Sequence, residues 1–373
     1  MRFRVTYPDS VTDLEVAGNL LEGKGFSFGD RILLRAPGYP VLLAASLKLG
    51  GWWFVLLVQV LAGTATCLAV YALAREKFGE KESLSAAALS AAYPIFWYMA
   101  GTLLSETVFT FLFVTSMLFV VRLRPRLRFT DAVTAGALSG AACLVRPSHF
   151  LFLPFLLPLF IMRGGRRPRA LGMWGVAMGT CLVAMSPWIV RNYVQTGQLV
   201  FTTLQTGASL YEANSPDATG GPAMDKTRWP EAIHSMTEYE RNAHLLRAAG
   251  ESMASHPART LWLAAVKLKR FWSPVPNDPS QRTVLVSAVM LASYVPAMFL
   301  FAVGLVAAVR RRLAIGLLLA PIAYYTLLHM VFVGSVRYRV PVMPLVLVFS
   351  GFGIHVTFEA IRRKLNTREC NGT

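Results

Sequence analysis

Uncharged apolar runs of near bilayer-crossing length recur along most of the chain, and its polar residues gather in the short segments between them. The runs cover residues 52–74, 84–100, 105–121, 132–145, 147–162, 170–190, 283–309, 313–336 and 340–358. A span needs roughly 17 to 25 mostly apolar residues, and in hydrocarbon the backbone can bond only to itself, so each run predicts a helix. The two short runs flanking Arg146 and Pro147 read as a tilted hairpin or a partly re-entrant pair. The expected fold class is an all-α polytopic membrane protein with about nine spans. Its expected divisions are an external segment 1–51, a bundle 52–190, a long external segment 191–282, further spans within 283–361 and a tail 362–373.

Composition agrees with that pattern. The chain is 54% hydrophobic and only 15% charged, which excludes an ordinary soluble domain and a disordered chain. Its net charge of +17 would suit nucleic acid, so the location of the charge decides. Short segments at 75–84, 122–128, 163–169, 310–312 and beyond 362 carry roughly half of the 37 Lys and Arg residues. Cytoplasmic loops collect such residues, so these segments are expected inside. The first segment, the long segment and the turns at Glu106, Arg146 and Arg337 are then external, and nucleic acid is not an expected partner. No signal peptide or span precedes the external first segment, which predicts an upstream helix absent from the chain as given. Cys67, Cys143 and Cys181 lie in apolar runs and Cys370 in the tail, without a CxxC pair, so a disulfide framework or thiolate zinc site is not expected.

The external segments have their own pattern. Asp9 and Asp13 precede an amphipathic stretch at 14–21, followed by turn residues Gly23, Gly25 and Gly29. Residues 41–49 are apolar but too short to span and end near Lys48, which predicts a helix at the interface. In the long segment a polar helix is expected at 230–255. A second, at 257–272, sets Trp262 and Trp272 among Lys267, Lys269 and Arg270 and suits an anionic membrane surface.

Charge beside an apolar run is costly, about 2.5–3.5 kcal/mol at a helix centre, so isolated cases suggest function. Glu106, Arg146, Arg337 and Arg339 are such cases, and all are expected on the external rim. Glycosyl transfer from a lipid phosphate needs that arrangement: guanidinium groups hold the anionic leaving group at headgroup level, and a carboxylate deprotonates the attacking hydroxyl. Asp9 and Glu106 are the candidate carboxylates, and Arg146, Arg191, Arg337 and Arg339 the candidate phosphate clamps. Two plainer readings stand beside these: Asp9 as a helix cap and Arg191 as an interfacial anchor. The chain has no HExxH, phosphate-loop or GxSxG motif. A transporter or flippase of lipid-linked sugar is the alternative class, but it would place ionisable groups near the midplane rather than at one rim.

Several short motifs resemble those of a known family. Pro8-Asp9-Ser10 with Ala17–Phe26 and Arg35-Ala36-Pro37-Gly38-Tyr39-Pro40 resembles the first external loop of GT-C glycosyltransferases. The bacterial members similar to protein O-mannosyltransferases and the lipid A aminoarabinose transferase are nearest in pattern. Leu104-Ser105-Glu106, Arg146-Pro147-Ser148, Pro187–Tyr193, Leu210–Asn214 and Arg337–Pro344 extend the resemblance in order along the chain. It implies a GT-C-like helical bundle and an inverting transferase of the inner (plasma) membrane, drawing on a polyprenyl-phosphate sugar at the extracytoplasmic face. Asp9 maps to the family's catalytic base and Glu106 to its second acid, while Arg35, Tyr39, Tyr211, Asn214, Lys269, Arg270 and Tyr338 become candidate substrate contacts. The resemblance leaves open a divalent metal ion and an acceptor that is protein, lipid or polysaccharide. The chain departs from the family in lacking the first helix, in carrying one Asp where an Asp-Glu pair is common, and in having a long segment too small for a separate domain.

Overall fold

A computed structural model describes residues 7–162 and 167–371. Residues 1–6, where the expected upstream span would join, and residues 163–166 of one basic loop lie outside the described residues. Among the described residues the architecture is all-α, with no β-strand. Five helices are long and apolar enough to cross a membrane, and three shorter apolar segments accompany them. The multi-pass helical architecture is as expected, but among the described residues five helices of crossing length stand where about nine spans were expected.

The chain opens with α1 (Pro8–Leu21) and then α2 (Gly38–Arg75). The expected interfacial helix and first span are the two limbs of α2, joined through a bend at Gly50 and Gly51. Gly51 has φ 62°, a region that residues with a Cβ enter at a cost, so the bend falls there. The run 84–100 is not one helix but α3 (Glu80–Ala92) and α4 (Pro94–Ala100). Pro94 supplies no backbone N–H and moves Tyr93 into extended backbone, which ends α3. The next pair is α5 (Glu106–Arg126) and α6 (Phe129–Val145).

After Arg146 the run 147–162 forms a single 3-10 turn and two very short helices, α7 (Phe152–Phe155) and α8 (Leu157–Ile161), in a stretch carrying Pro147, Pro154 and Pro158. Helix α9 (Arg167–Thr196) continues past the expected boundary at 190. The long segment after α9 holds α10 (Thr206–Asn214), α11 (Glu238–Ser255) and α12 (Pro257–Phe271). The polar helix therefore starts eight residues later than expected, at a capping box in which Thr237 and Glu240 satisfy each other's backbone N–H groups. Finally come α13 (Val284–Arg310), α14 (Gly316–Val331), the one-turn α15 (Val336–Arg339) and α16 (Met343–Asn371).

Close helix contacts rest on small residues, as expected where lipid removes the hydrophobic drive for association. A Cβ on Gly304 of α13 would overlap the Phe349 carbonyl of α16, and one on Gly140 of α6 would lie 2.7 Å from the Cys181 carbonyl of α9. At one rim Gly38 lets the start of α2 touch the end of α6, where a Cβ would meet the Leu144 carbonyl at 2.8 Å. That contact sets α2 beside Arg146.

Candidate functional site

Side chains from four elements and the α1–α2 loop meet at this rim. Tyr7 caps α1 with its backbone alone, so Asp9 lies in the first turn and its side chain is free of the capping role considered above. Ser10 fixes the helix laterally by donating to the Leu103 carbonyl at 2.8 Å. Asp9 Oδ1 accepts from Arg35 at 2.6 Å, and Asp9 Oδ2 lies 2.6 Å from Arg337 Nη1. Arg337 Nε also donates to Glu106 Oε1. Arg146 Nη1 stands 2.8 Å from that same Glu106 oxygen. One guanidinium thus bridges Asp9 and Glu106, and a second flanks Glu106.

Glu106 begins α5 and is fully buried. The partial positive charge of a helix N-terminus favours a carboxylate there, and two guanidiniums offset its loss of water. Its Oε2 has no hydrogen-bond partner. Arg146 directly follows α6 and packs over the rings of Phe109 and Tyr338, while Arg337 lies over Tyr7 and Tyr338. Burial acts to raise the Asp9 carboxyl, but Arg337 and then Arg35 outweigh it and hold the group well below the usual carboxylate range.

The long segment after α9 fixes Arg337 from behind. Lys267 of α12 is fully buried and donates to Asn214 Oδ1 at 2.8 Å and to the Val331 carbonyl at 2.9 Å. Asn214 donates to the same carbonyl, and Arg270 donates to Gly334 O at 3.2 Å. Gly334 N bonds to Gly220 O, and Asn277 accepts from Val336 N at 2.6 Å. These bonds hold the turn that leads into α15. Burial lowers the Lys267 ammonium to about 8.

The sequence-selected residues divide accordingly. Asp9, Glu106, Arg35, Arg146, Arg337 and Tyr338 come together. Arg339, selected as a clamp, does not join them: it is 1% exposed, lies 4.1 Å from the Tyr294 ring and donates to the Phe271 and Ser273 carbonyls. Two steps along a one-turn helix separate it from Arg337 and turn it into the bundle. Arg191 also stands apart, donating to the carbonyls of Ile32 and Phe26 and stacking on Trp188, so it anchors the α1–α2 loop. Tyr39 is buried and donates to Gln59. Tyr211 donates to Arg228 O and packs on Trp229, and Asn214 is a buried strut. Lys269 is exposed, whereas Lys267, expected at a membrane surface, points inward.

Sequence reasoning passed over Asp13 and Glu212 as site residues. Asp13 lies 3.7 Å from Arg35 Nε, and its spacing of four from Asp9, one face of a helix, was the available signal. Glu212 is buried and accepts from Ala223 N at 2.7 Å, a bond that no local pattern announces. Burial pushes its carboxyl up to about 7, with Asp9 adding to the rise. An unfolded chain would release that proton near the ordinary 4.5, so this group's contribution to stability falls as pH rises from 4.5 to about 7 and is flat above. Glu212→Gln is expected to remove that decline. Thermal midpoints of the two proteins should agree at low pH, with the variant ahead at about pH 8; parallel curves would contradict the shift.

No three of His, Cys, Asp and Glu converge to hold a metal ion among the described residues, and the rim carboxylates face guanidiniums. The site therefore does not fit a divalent ion as it stands. Beside it lies an apolar cleft of about 510 Å³ between α2, α5 and α6, whose lining includes Gly38, Leu42, Val108, Leu144 and Val145. Val145 adjoins Arg146, and Val108 is half a turn from Glu106.

The fold is that of a polytopic membrane protein whose rim gathers acids and guanidiniums from separate helices. Residues 35–190 match the family model for dolichyl-phosphate-mannose-protein mannosyltransferase. No curated protein matches the chain. Among solved structures it is similar to the archaeal oligosaccharyltransferase AglB from Archaeoglobus fulgidus, in complex with an inhibitory peptide and a dolichol-phosphate. The TM-score is 0.59 at 14% identity, over 98% of this chain and 48% of that one. The apo form of the Archaeoglobus fulgidus oligosaccharyltransferase gives 0.57 at the same identity and coverages. ArnT from Cupriavidus metallidurans, bound to undecaprenyl phosphate, gives 0.47 at 14% identity over 95% of this chain and 74% of that one. The chain spans about half the length of the oligosaccharyltransferase structures.

Proposed function

We propose that this chain is an inner-membrane glycosyltransferase that moves a sugar from a polyprenyl-phosphate donor to an acceptor hydroxyl at the extracytoplasmic face. One observation carries the reading: Asp9 and Glu106, from two different helices, share Arg337 at the rim, next to an apolar cleft. The cleft suits a prenyl chain, and the adjoining guanidiniums suit its phosphate. Arg146 has the most capacity left, since among the described residues its one close polar partner is Glu106 and its guanidinium is otherwise packed on rings. In a single inverting displacement the acceptor oxygen attacks the anomeric carbon, the bond to phosphate breaks, and a carboxylate takes the hydroxyl proton. Arginine charge stabilises the phosphate that leaves. The acceptor belongs to protein, lipid or polysaccharide.

A photoreactive prenyl phosphate tests the placement in purified full chain. Label is expected on α2, α5 and α6 around Leu61, Ala62 and Leu112, which line the cleft. Ala62→Trp should weaken binding roughly tenfold by filling the cleft. Label spread evenly over the outward faces of α9 and α13 would contradict the assignment.

A further inference from the structure

Two carboxylates of α1, Asp9 and Asp13, lie one turn apart on the same helix face, yet their surroundings differ. Both oxygens of Asp9 are taken, one by Arg35 and the other by Arg337, each at 2.6 Å. Asp13 is 6% exposed, and among the described residues no hydrogen bond reaches its carboxylate. Its nearest cation is Arg35, whose Nε is 3.7 Å away, too far for a hydrogen bond, and is itself buried without a partner. The other charged or titratable groups that act on it are Asp9 on its own helix, Arg337 from α15, Glu106 from α5 and Tyr39 from α2.

These two settings suit different tasks. A carboxylate held by two guanidiniums is a weak base, because taking a proton would give up both contacts. A buried carboxylate with no hydrogen bond gains from protonation. We infer that Asp13 is the residue that accepts the proton of the acceptor hydroxyl, while Asp9 is a positioning residue that orients Arg35 and Arg337. The inference rests on the glycosyl-transfer reading above and assigns a role within it. As the acceptor oxygen bonds to the anomeric carbon, the bond from that carbon to the phosphate oxygen breaks with its electron pair leaving on phosphate, and the hydroxyl proton passes to Asp13. Asp13 then returns that proton to water. Burial, ahead of the opposing pull of Arg35, pushes the Asp13 carboxyl up to about 7, which matches a base working near neutral pH.

The test uses full-length protein in lipid nanodiscs, with a panel of decaprenyl-phosphate sugars as donor probes, a panel of hydroxyl acceptors and decaprenyl phosphate as binding probe. In a Glu212→Gln background, which removes the other carboxyl that burial raises to about 7, infrared difference spectra without donor should show a protonated-carboxyl band that titrates at about 7. The band should persist in Asp9→Asn and vanish in Asp13→Asn. Asp13→Asn should lower kcat by about 10²-fold or more, with decaprenyl phosphate affinity within about twofold of wild type, and Asp13→Glu should restore part of the turnover. Wild-type turnover in Asp13→Asn, or a titrating band unchanged by that substitution, overturns the role of Asp13 alone. A wild-type protein inert with every donor and every acceptor overturns the glycosyl-transfer reading, and the inference with it.

Discussion

Arg337→Ala is expected to reduce transfer by roughly 10²- to 10³-fold, the scale of losing one preorganised group that stabilises charge at a reacting centre. Arg337 contacts Asp9 through Nη1 and Glu106 through Nε, so its loss leaves two carboxylates facing each other across α1 and α5. Their repulsion should loosen α1, seen as faster amide exchange at residues 8–21 than in wild type. Arg337→Lys is expected to fail as a rescue. A single ammonium does not reproduce the planar fork that holds two carboxylates in fixed directions. Turnover within threefold of wild type in either variant would contradict the bridging role.

Glu106→Ala should have the largest effect on stability. The carboxylate is fully buried, and its removal leaves Arg146 and Arg337, with side chains only 16% and 15% exposed, facing each other without the acid between them. Leaving buried charge uncompensated costs about 3–5 kcal/mol, so the thermal midpoint in detergent should fall by several degrees. Glu106→Gln keeps one acceptor oxygen while losing the charge, and its midpoint should lie between those of wild type and Glu106→Ala. A midpoint of Glu106→Ala equal to wild type would show that the network is not held together by this acid.

The multi-pass helical character was legible because hydrocarbon demands long uncharged helices, yet only five of the nine runs became helices of crossing length among the described residues. The rim was legible for the converse reason. Glu106, Arg146 and Arg337 are charges beside apolar runs, and the network now pairs them. Helix breaks were harder to read. Pro94 gave a local signal at the α3–α4 junction, whereas the Gly50–Gly51 bend required backbone angles that sequence does not display. Arg337 and Arg339 were equivalent in sequence, and only the orientation of a one-turn helix sends one to the rim and the other to Tyr294. Lys267 was read as a surface cation because its partners, Asn214 and the Val331 carbonyl, lie far along the chain. Asp13 was overlooked because its neighbour Asp9 carried the family resemblance, while the difference between them lies in which guanidiniums reach each one.

The central claim is that this paired-acid rim cleaves a sugar from a prenyl phosphate. Its most direct measurement is release of radiolabelled decaprenyl phosphate from the corresponding lipid-phosphate sugar, by purified wild-type protein and Arg337→Ala side by side, across a panel of sugars and hydroxyl acceptors. The account predicts acceptor-dependent release by wild type with at least one sugar, and its near-complete loss in the variant. Release that proceeds equally in both proteins, or absence of release with every sugar and acceptor, would contradict it.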